Sequence, residues 1–221
     1  MTRKFFVALM ALAVLFTASL ASAEYKDEIM EGADLTTVKK LAVAMPEFYK
    51  IESTEPEIHD WIKDIYDAGK RSSTLEIISY EDVAAAIRRD TGIDITVLER
   101  LEAEKVYKKN IARYADAYVV LTVANSEKLP QLFFYIYQTT DSKLMYTYKA
   151  RSRLYSKSAA SYAKMADEFF IRFDAATLHT LDGDEQKKLR KKQQEIRDKK
   201  RKAEKLEAKT SKNKVDMVKK K

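Results

Sequence analysis

The stretch AYVVLTV, residues 117–123, decides the fold, because its apolar and β-branched residues predict a buried β-strand. Two more strands are predicted after it, at residues 132–138 and 144–150. The polar residues 139–143 between them predict a hairpin loop, so these late strands should form an antiparallel meander.

Two short apolar runs upstream, residues 41–45 and 75–78, predict further buried strands. A helix is predicted between them, because Ser53 or Thr54 can cap its start and apolar residues then recur at spacings of three and four positions until Gly69. A helical crossover of this kind favours parallel pairing of the strands that it joins.

Three more helices are predicted from caps and apolar spacing. Ser79 begins one that Gly92 ends, a second covers roughly 95–113, and the last begins at Ser156 or Ser158. The predicted order is β-α-β-α-α-β-β-β-α. This order is typical of an α/β domain, mixed α+β in character, with a five-stranded mixed sheet and packed helices.

The amino terminus has the pattern of a secretory signal peptide. Arg3 and Lys4 precede an apolar run from Phe5 to Phe16, and small residues follow at 21–23. We therefore expect cleavage after residue 23 and export to the periplasm or the cell exterior, with an uncleaved membrane anchor as the alternative. The chain has no cysteine, which excludes disulfides, thiol catalysis and lipid attachment through a cysteine.

Charge divides the chain unevenly. Residues 185–221 hold 17 Lys and Arg against 6 Asp and Glu, a net charge of +11 within a total of +7. Since residues 1–23 contribute +2, the body between residues 24 and 184 is left with −6. We therefore expect an acidic body with a cationic extension. The predicted segments of the chain are a signal peptide (1–23), a lead (24–37), the α/β domain (38–176), a linker (177–184) and a Lys-rich tail (185–221) that is helical or disordered.

Three segments resemble a group of bacterial envelope domains. They are KLAVAMP at 40–46, YADAYVVLT at 114–122 and YQTTDSKLMY at 137–146. The group comprises the curli-secretion lipoprotein, the lipoprotein activator of penicillin-binding protein and the TolB amino-terminal domain, and the resemblance covers about residues 38–175. It implies a non-enzymatic envelope protein that binds other proteins. The chain departs from the group by lacking a lipidating cysteine and by carrying Asp141-Ser142 where the hairpin glycine is expected.

Residues with catalytic potential are few. His59 and His179 have no ligand-spaced partner, so we expect surface histidines and neither a metal site nor a cofactor. Asp90-Thr91-Gly92 has the letters of an aspartic protease motif, but its position behind a pair of arginines predicts a solvated helix end. We therefore predict a protein without enzymatic activity, the alternative being an exported hydrolase whose carboxylates come from distant segments.

The hairpin contains the densest group of aromatic residues. Strand alternation leaves two interpretations open: a strand covered by helices on both faces, or a tyrosine face that is partly open to a partner. On the second interpretation, the residues that contact an envelope protein are Tyr135, Tyr137, Tyr146 and Tyr148.

The tail is rich in helix-forming Lys, Arg, Glu and Gln. Leu189, Ile196 and Ala203 recur every seven residues, although this seam is thin for a coiled coil. The tail is interpreted either as a solvated helix or as a contact to an anionic lipid or cell-wall polymer, and export argues against nucleic acid. The residues predicted for that contact are Lys187, Lys188, Arg190, Lys191, Lys192, Lys199, Lys200, Arg201 and Lys202.

Overall fold

The computed structural model describes residues 24–48, 58–124, 130–151 and 158–218. The strands within these ranges are β1 (Glu24–Ile29), β2 (Lys40–Val43), β3 (Glu47–Phe48), β4 (Glu76–Ile78), β5 (Ala117–Val123), β6 (Gln131–Gln138) and β7 (Leu144–Arg151). The α-helices are α1 (Ile58–Ser72), α2 (Tyr80–Thr91), α3 (Arg100–Asn110), α4 (Ala159–Ala176) and α5 (Gly183–Val218).

The strands form one mixed sheet in the order β1-β7-β6-β5-β2-β4, and β3 also pairs with β5. Strand β2 is parallel to β4 and β5, whereas β5, β6, β7 and β1 follow one another antiparallel. The predicted mixed α/β class is confirmed. The described sheet has two strands beyond the five predicted, β1 and β3.

Strand β1 lies in the segment that the sequence assigns to a lead before the domain. Tyr25 and Asp27 of β1 point to the same face of the sheet. Tyr25 stacks on Tyr148, and Asp27 accepts a hydrogen bond of 3.0 Å from the Tyr146 hydroxyl. Lys26 between them is exposed. Four of its six residues are charged, so a hydrophobicity pattern does not reveal this strand, but charged residues suit a strand at the edge of a sheet.

Several predicted helix ends are confirmed at the atomic level. Ser79 Oγ accepts from the Asp82 amide at 3.0 Å, and Gly92 ends α2 in the left-handed region with φ 75°. Ser158 caps α4. Helix α1 continues to Ser72, past the predicted end, while its predicted caps and Ser156 lie outside the described residues, as does the signal peptide.

The region predicted as one helix at 95–113 is divided in three. A 3-10 turn at Ile95–Val97 precedes α3, and another at Ile111–Arg113 follows it. Asp94 caps the first turn by accepting from the Thr96 amide at 3.1 Å, which offers the backbone a local alternative to the α-helix.

Helices cover the sheet unequally on its two faces. Helix α4 packs on one face, where Phe169 lies parallel to Phe134 with ring centroids 4.2 Å apart. Helix α1 lies beside α4, with Trp61 edge-on to Tyr162 at 4.3 Å. On the opposite face, α3 reaches the sheet through Tyr107, whose ring meets Tyr118 of β5 edge-on.

Helix α1 approaches α4 closely at Gly69. A Cβ atom added to Gly69 would lie 2.8 Å from Phe170 Cζ and 3.0 Å from Ile77 Cγ2. Glycine is thus required here by packing, in addition to its frequent use near helix ends.

The basic C-terminal helix, α5, docks on the body through a buried ion pair. The Arg197 guanidinium donates to Asp174 Oδ2 at 3.0 Å and to the Ser72 carbonyl at 2.8 Å. Asp174 also accepts from Ser73 Oγ at 2.6 Å and from the Thr74 amide at 2.7 Å. Its side chain is fully buried and that of Arg197 is 6% exposed. The first part of the tail is therefore packed on the body by its polar residues, a contact that the sequence analysis did not foresee.

The docked part of α5 also supplies a cation to the end of α1. Lys200 Nζ donates to the Ser73 carbonyl at 2.6 Å, beside the bond from Arg197 to Ser72. The last carbonyls of a helix lack intrahelical donors, and positive charge is favourable at that end.

Candidate functional site

The four hairpin tyrosines fall on opposite faces of the sheet. Tyr146 and Tyr148 are buried beneath α4, whereas Tyr135 and Tyr137 are half-buried on the other face. Strand pairing explains the division, because Phe134 lies opposite Tyr148 and Tyr135 lies opposite Thr147. Tyr146 and Tyr148 are core residues, so a partner surface can include only the other pair.

The face that carries Tyr135 keeps aromatic surface in solvent. Phe133, Tyr135 and Tyr137 are each half-buried, while Leu132 and Phe134 of the same strand are fully buried. The rings of Phe133 and Tyr135 are parallel, with centroids 6.4 Å apart, and Lys149 Nζ lies 5.5 Å from the Phe133 centroid. We call Phe133, Tyr135 and Tyr137 the aromatic face.

A small cleft of about 60 Å³ adjoins the aromatic face at Tyr137. It lies between α3 and the ends of β2 and β5, and it is lined by Ala44, Met45, Glu47, Tyr80, Arg100, Ala103, Glu104, Tyr107, Lys108, Tyr118, Val120 and Tyr137. This volume is well below that of a site for a drug-sized ligand. Sequence reasoning missed this cleft, because Tyr118 and Val120 belong to a strand whose pattern predicts only core.

Four tyrosines line the cleft in a continuous row. The ring of Tyr80 is stacked on Tyr107 at 5.8 Å, Tyr107 is edge-on to Tyr118 at 6.1 Å, and Tyr118 is stacked on Tyr137 at 5.3 Å. The Tyr107 hydroxyl donates to the Val43 carbonyl at 3.2 Å, and burial raises its pKa. The row fixes the floor of the cleft through ring contacts.

The Tyr118 hydroxyl is buried without a hydrogen-bond partner in the described part of the chain. Tyr118 is 1% exposed. A buried polar group without a partner costs roughly 1–3 kcal/mol, so most such groups in folded proteins are paired. The Tyr118 side chain is among those that line the cleft, but its hydroxyl has almost no accessible surface.

Charged side chains of both signs line the same cleft as Tyr118. Lys108 is paired with Glu104 one helical turn away, which raises the Lys108 pKa. Arg100 donates to the Pro46 carbonyl at 3.4 Å. Glu47 accepts from the Thr122 hydroxyl, also at 3.4 Å, a long hydrogen bond. The lining thus holds two cations and two carboxylates.

The two described carboxyl groups whose pKa values are raised mainly by burial lie outside the cleft. They belong to Asp64 and Asp174. Among the described residues, no three His, Asp or Glu side chains are grouped to hold a metal ion. His59 and His179 are exposed.

Asp90 is solvent-exposed, and its pKa is lowered chiefly by hydrogen bonds. Arg89 Nε donates to it at 2.8 Å and the Tyr114 hydroxyl donates at 2.8 Å. An aspartic protease requires a carboxyl that shares a proton with a second one, so this geometry is that of a helix terminus.

Most of the predicted basic contact residues of the tail are exposed on α5. Lys200 differs, because it is half-buried against the body and bonded to Ser73. The exposed ones are Lys187, Lys188, Arg190, Lys191, Lys192, Lys199, Arg201 and Lys202. No helix in the described ranges is long and apolar enough to cross a membrane.

No family model matches the chain, and no curated protein matches it. Solved structures with a similar arrangement include PelC from Paraburkholderia phytofirmans, with 7% identity, 69% of this chain and 98% of that chain covered, and a TM-score of 0.41. The LpoB C-terminal domain from Escherichia coli has 14% identity and a TM-score of 0.42, and the match covers 55% of this chain and 88% of that chain. TolB from Acinetobacter baumannii has 10% identity and a TM-score of 0.32, and the match covers 68% of this chain and 31% of that chain.

TolB is among the proteins that the sequence resembles, and the resemblance to bacterial envelope domains is confirmed as a weak structural similarity. At these identities and TM-scores it carries no conclusion about a ligand, a partner or an activity.

Proposed function

We propose that the chain is an exported, non-catalytic binding protein of the bacterial envelope, whose body binds another protein and whose tail contacts an anionic surface. Residues 1–23 would direct export, residues 38–176 would form the binding domain, and 185–221 the cationic attachment. The observation that carries the proposal is the aromatic face, which is only partly buried on the side of the sheet opposite α4.

Aromatic side chains in solvent favour a protein contact. Tyrosine and phenylalanine are enriched at protein interfaces, where their large rings are buried with little loss of conformational freedom. The rings of Phe133 and Tyr135 are held parallel in a paired strand, so they are already ordered before a partner arrives. A rigid aromatic surface loses less entropy on binding than a mobile one.

Photo-crosslinking in the living cell tests the protein contact. A photoreactive residue is placed at Tyr135 and, as a control, at Tyr66, which is also half-buried but lies on α1. We expect a defined crosslinked protein from position 135 and not from position 66. Equal products from both positions, or none from position 135, would contradict the proposal.

The tail contact is tested by charge reversal, because deletion of the tail would also remove the buried Arg197. Lys188 and Lys192 are both exposed, and changing both to glutamate keeps the docking residues intact. Each basic residue near an anionic membrane contributes about 1 kcal/mol, so the loss of two lysines alone should weaken binding to phosphatidylglycerol vesicles roughly 30-fold. Repulsion of the two added glutamates should weaken binding further.

The control for the tail is the same charge change on the body, Lys105→Glu with Lys109→Glu, which are exposed on α3. Cosedimentation with vesicles at low salt gives the affinity of each protein. Equal loss in both double variants would show that net charge alone matters, and no loss in the tail variant would refute the tail contact.

A further inference from the structure

Strand β4 forms one edge of the sheet, because no described strand pairs with it on the side away from β2. The Glu76 amide donates to the Lys39 carbonyl at 3.0 Å, on the β2 side. Hydrogen-bonding directions alternate along a strand of a parallel pair, so Glu76 and Ile78 bond towards β2. The amide and the carbonyl of Ile77, which lies between them, therefore point away from the sheet.

An open groove of about 660 Å³ lies beside this edge. Leu75 and Ile77 form one wall of the groove, and the end of α1 and part of α5 form the others. Ile77 is half-buried, so the groove gives access to it. Helix α5 bonds to the carbonyls of Ser72 and Ser73, which precede β4, and those bonds do not use the backbone of Ile77. The volume is in the range of ligand sites.

The charges of the groove balance one another. Its lining contains three basic and three acidic side chains, so the formal charges cancel. Arg71 binds both oxygens of Asp167 and lies 3.6 Å from Glu204, and Lys200 donates to the Ser73 carbonyl. A strongly charged segment would be repelled by one half of the lining, so the groove is complementary to an uncharged one.

An apolar strip runs between the charged groups. The Ile77 side chain points towards α1, since a Cβ atom on Gly69 would lie 3.0 Å from Ile77 Cγ2. Leu75 and Ala203 extend the strip on either side of the groove. In a strand added beside β4, a residue opposite Ile77 would point to this strip and its two neighbours to the other face. The segment that fits thus has an apolar residue between two uncharged polar ones.

We propose that the groove between β4 and α5 binds an extended, uncharged segment of another protein, which adds a strand to the sheet through the amide and the carbonyl of Ile77. In strand addition, main-chain hydrogen bonds give affinity and side-chain contacts give selectivity. The groove does not include the aromatic face, so this inference goes beyond the proposed function and does not depend on it. A second copy of this chain, pairing through its own β4, is the competing occupant.

Amide hydrogen exchange followed by NMR tests the edge without changing a residue of the protein. In the dilute protein we expect Ile77 to exchange at least about tenfold faster than Ile78, whose amide bonds towards β2. A saturating amount of the capped pentapeptide Thr-Val-Thr-Val-Thr should slow Ile77 by at least about fivefold and leave Ile78 unchanged. Slow exchange of Ile77 without peptide, or no change on adding it, would overturn the proposal.

Modified peptides separate main-chain pairing from side-chain contact. Methylation of the two valine amides blocks one edge of the extended peptide, and methylation of the threonine amides blocks the other. Only one edge can face β4, so one of these peptides should bind about tenfold more weakly than the parent. Equal binding of all three contradicts strand addition. Peptides with lysine or glutamate in place of threonine should bind more weakly, and tighter binding of either contradicts an uncharged occupant.

Two exposed alanines give matched variants of the protein. Ala203→Glu places a charge in the apolar strip and should weaken binding of the threonine peptide about fivefold, whereas Ala85→Glu on α2 should leave it unchanged. Equal affinities of the two variants would contradict the groove as the site. Analytical ultracentrifugation identifies the competing occupant, because a dimer that protects Ile77 without peptide would assign the edge to a second copy and overturn the proposal.

Discussion

The substitution Arg197→Ala should destabilise the whole body, although Arg197 belongs to the basic tail. Arg197 is the charged partner of Asp174, whose side chain has no exposed surface. Removing one member of a buried ion pair leaves the other charge buried without compensation, which typically costs about 3–5 kcal/mol. The bond to the Ser72 carbonyl at 2.8 Å is lost in the same step.

The matched control is Arg201→Ala, one helical turn further along α5. Arg201 is exposed, so its loss should change the free energy of unfolding by no more than about 0.5 kcal/mol. Both variants carry the same change of charge and the same truncation of the side chain. The difference between them therefore isolates the buried contact from the general properties of the tail.

Urea denaturation followed by the fluorescence of Trp61 gives the free energies. Trp61 is buried in α1 next to α4 and is the single tryptophan of the chain, so its signal reports on the body and not on the tail. A loss below about 1 kcal/mol for Arg197→Ala, or equal losses for both variants, would refute the docking of α5. Asp174→Ala made together with Arg197→Ala should cost less than the sum of the single changes.

Three further predictions follow from local geometry. Gly69→Ala should lower the free energy of unfolding by about 1–3 kcal/mol, because its Cβ would press on Phe170, whereas Gly183→Ala, with nothing within 4 Å, should leave it within about 0.5 kcal/mol. Ser142→Gly should raise the unfolding free energy in urea by roughly 0.5–1 kcal/mol, since Ser142 has φ 57°. Asp90 should titrate below its ordinary pKa of 3.8 in carbon-detected NMR. Its contribution to stability should therefore be present above pH 3.8 and be lost as the pH falls below that value. A titration midpoint above 3.8 would contradict the hydrogen bonds to its carboxylate.

The sequence predicts those features that neighbouring residues determine. Ser79 and Gly92 bracket α2 because a cap and a left-handed terminus need only the local chain. The meander of β5, β6 and β7 follows likewise from alternating apolar runs and the polar loop between them. The departure at Asp141-Ser142 is also visible in the sequence, and Ser142 indeed takes the left-handed conformation that a glycine would suit.

The features that the sequence does not reveal depend on distant segments. Alternation along β7 does not show which of its faces α4 covers, so the sequence alone does not separate Tyr146 and Tyr148 from Tyr135 and Tyr137. Arg197 looks like any other tail cation until the fold brings Asp174 and the end of α1 next to it. The cleft is formed where α3 meets β5, and a strand pattern gives no sign of an unpaired hydroxyl.

The affinity of the crosslinked partner for purified variants is the most direct test of the aromatic face as a binding surface. The account predicts that Tyr135→Ser weakens binding by about tenfold or more, as for a central interface residue, while Tyr66→Ser leaves the affinity unchanged. Both variants should keep the unfolding midpoint of the original protein. If Tyr135→Ser binds the partner as tightly as the unaltered chain, the aromatic face is not the binding surface.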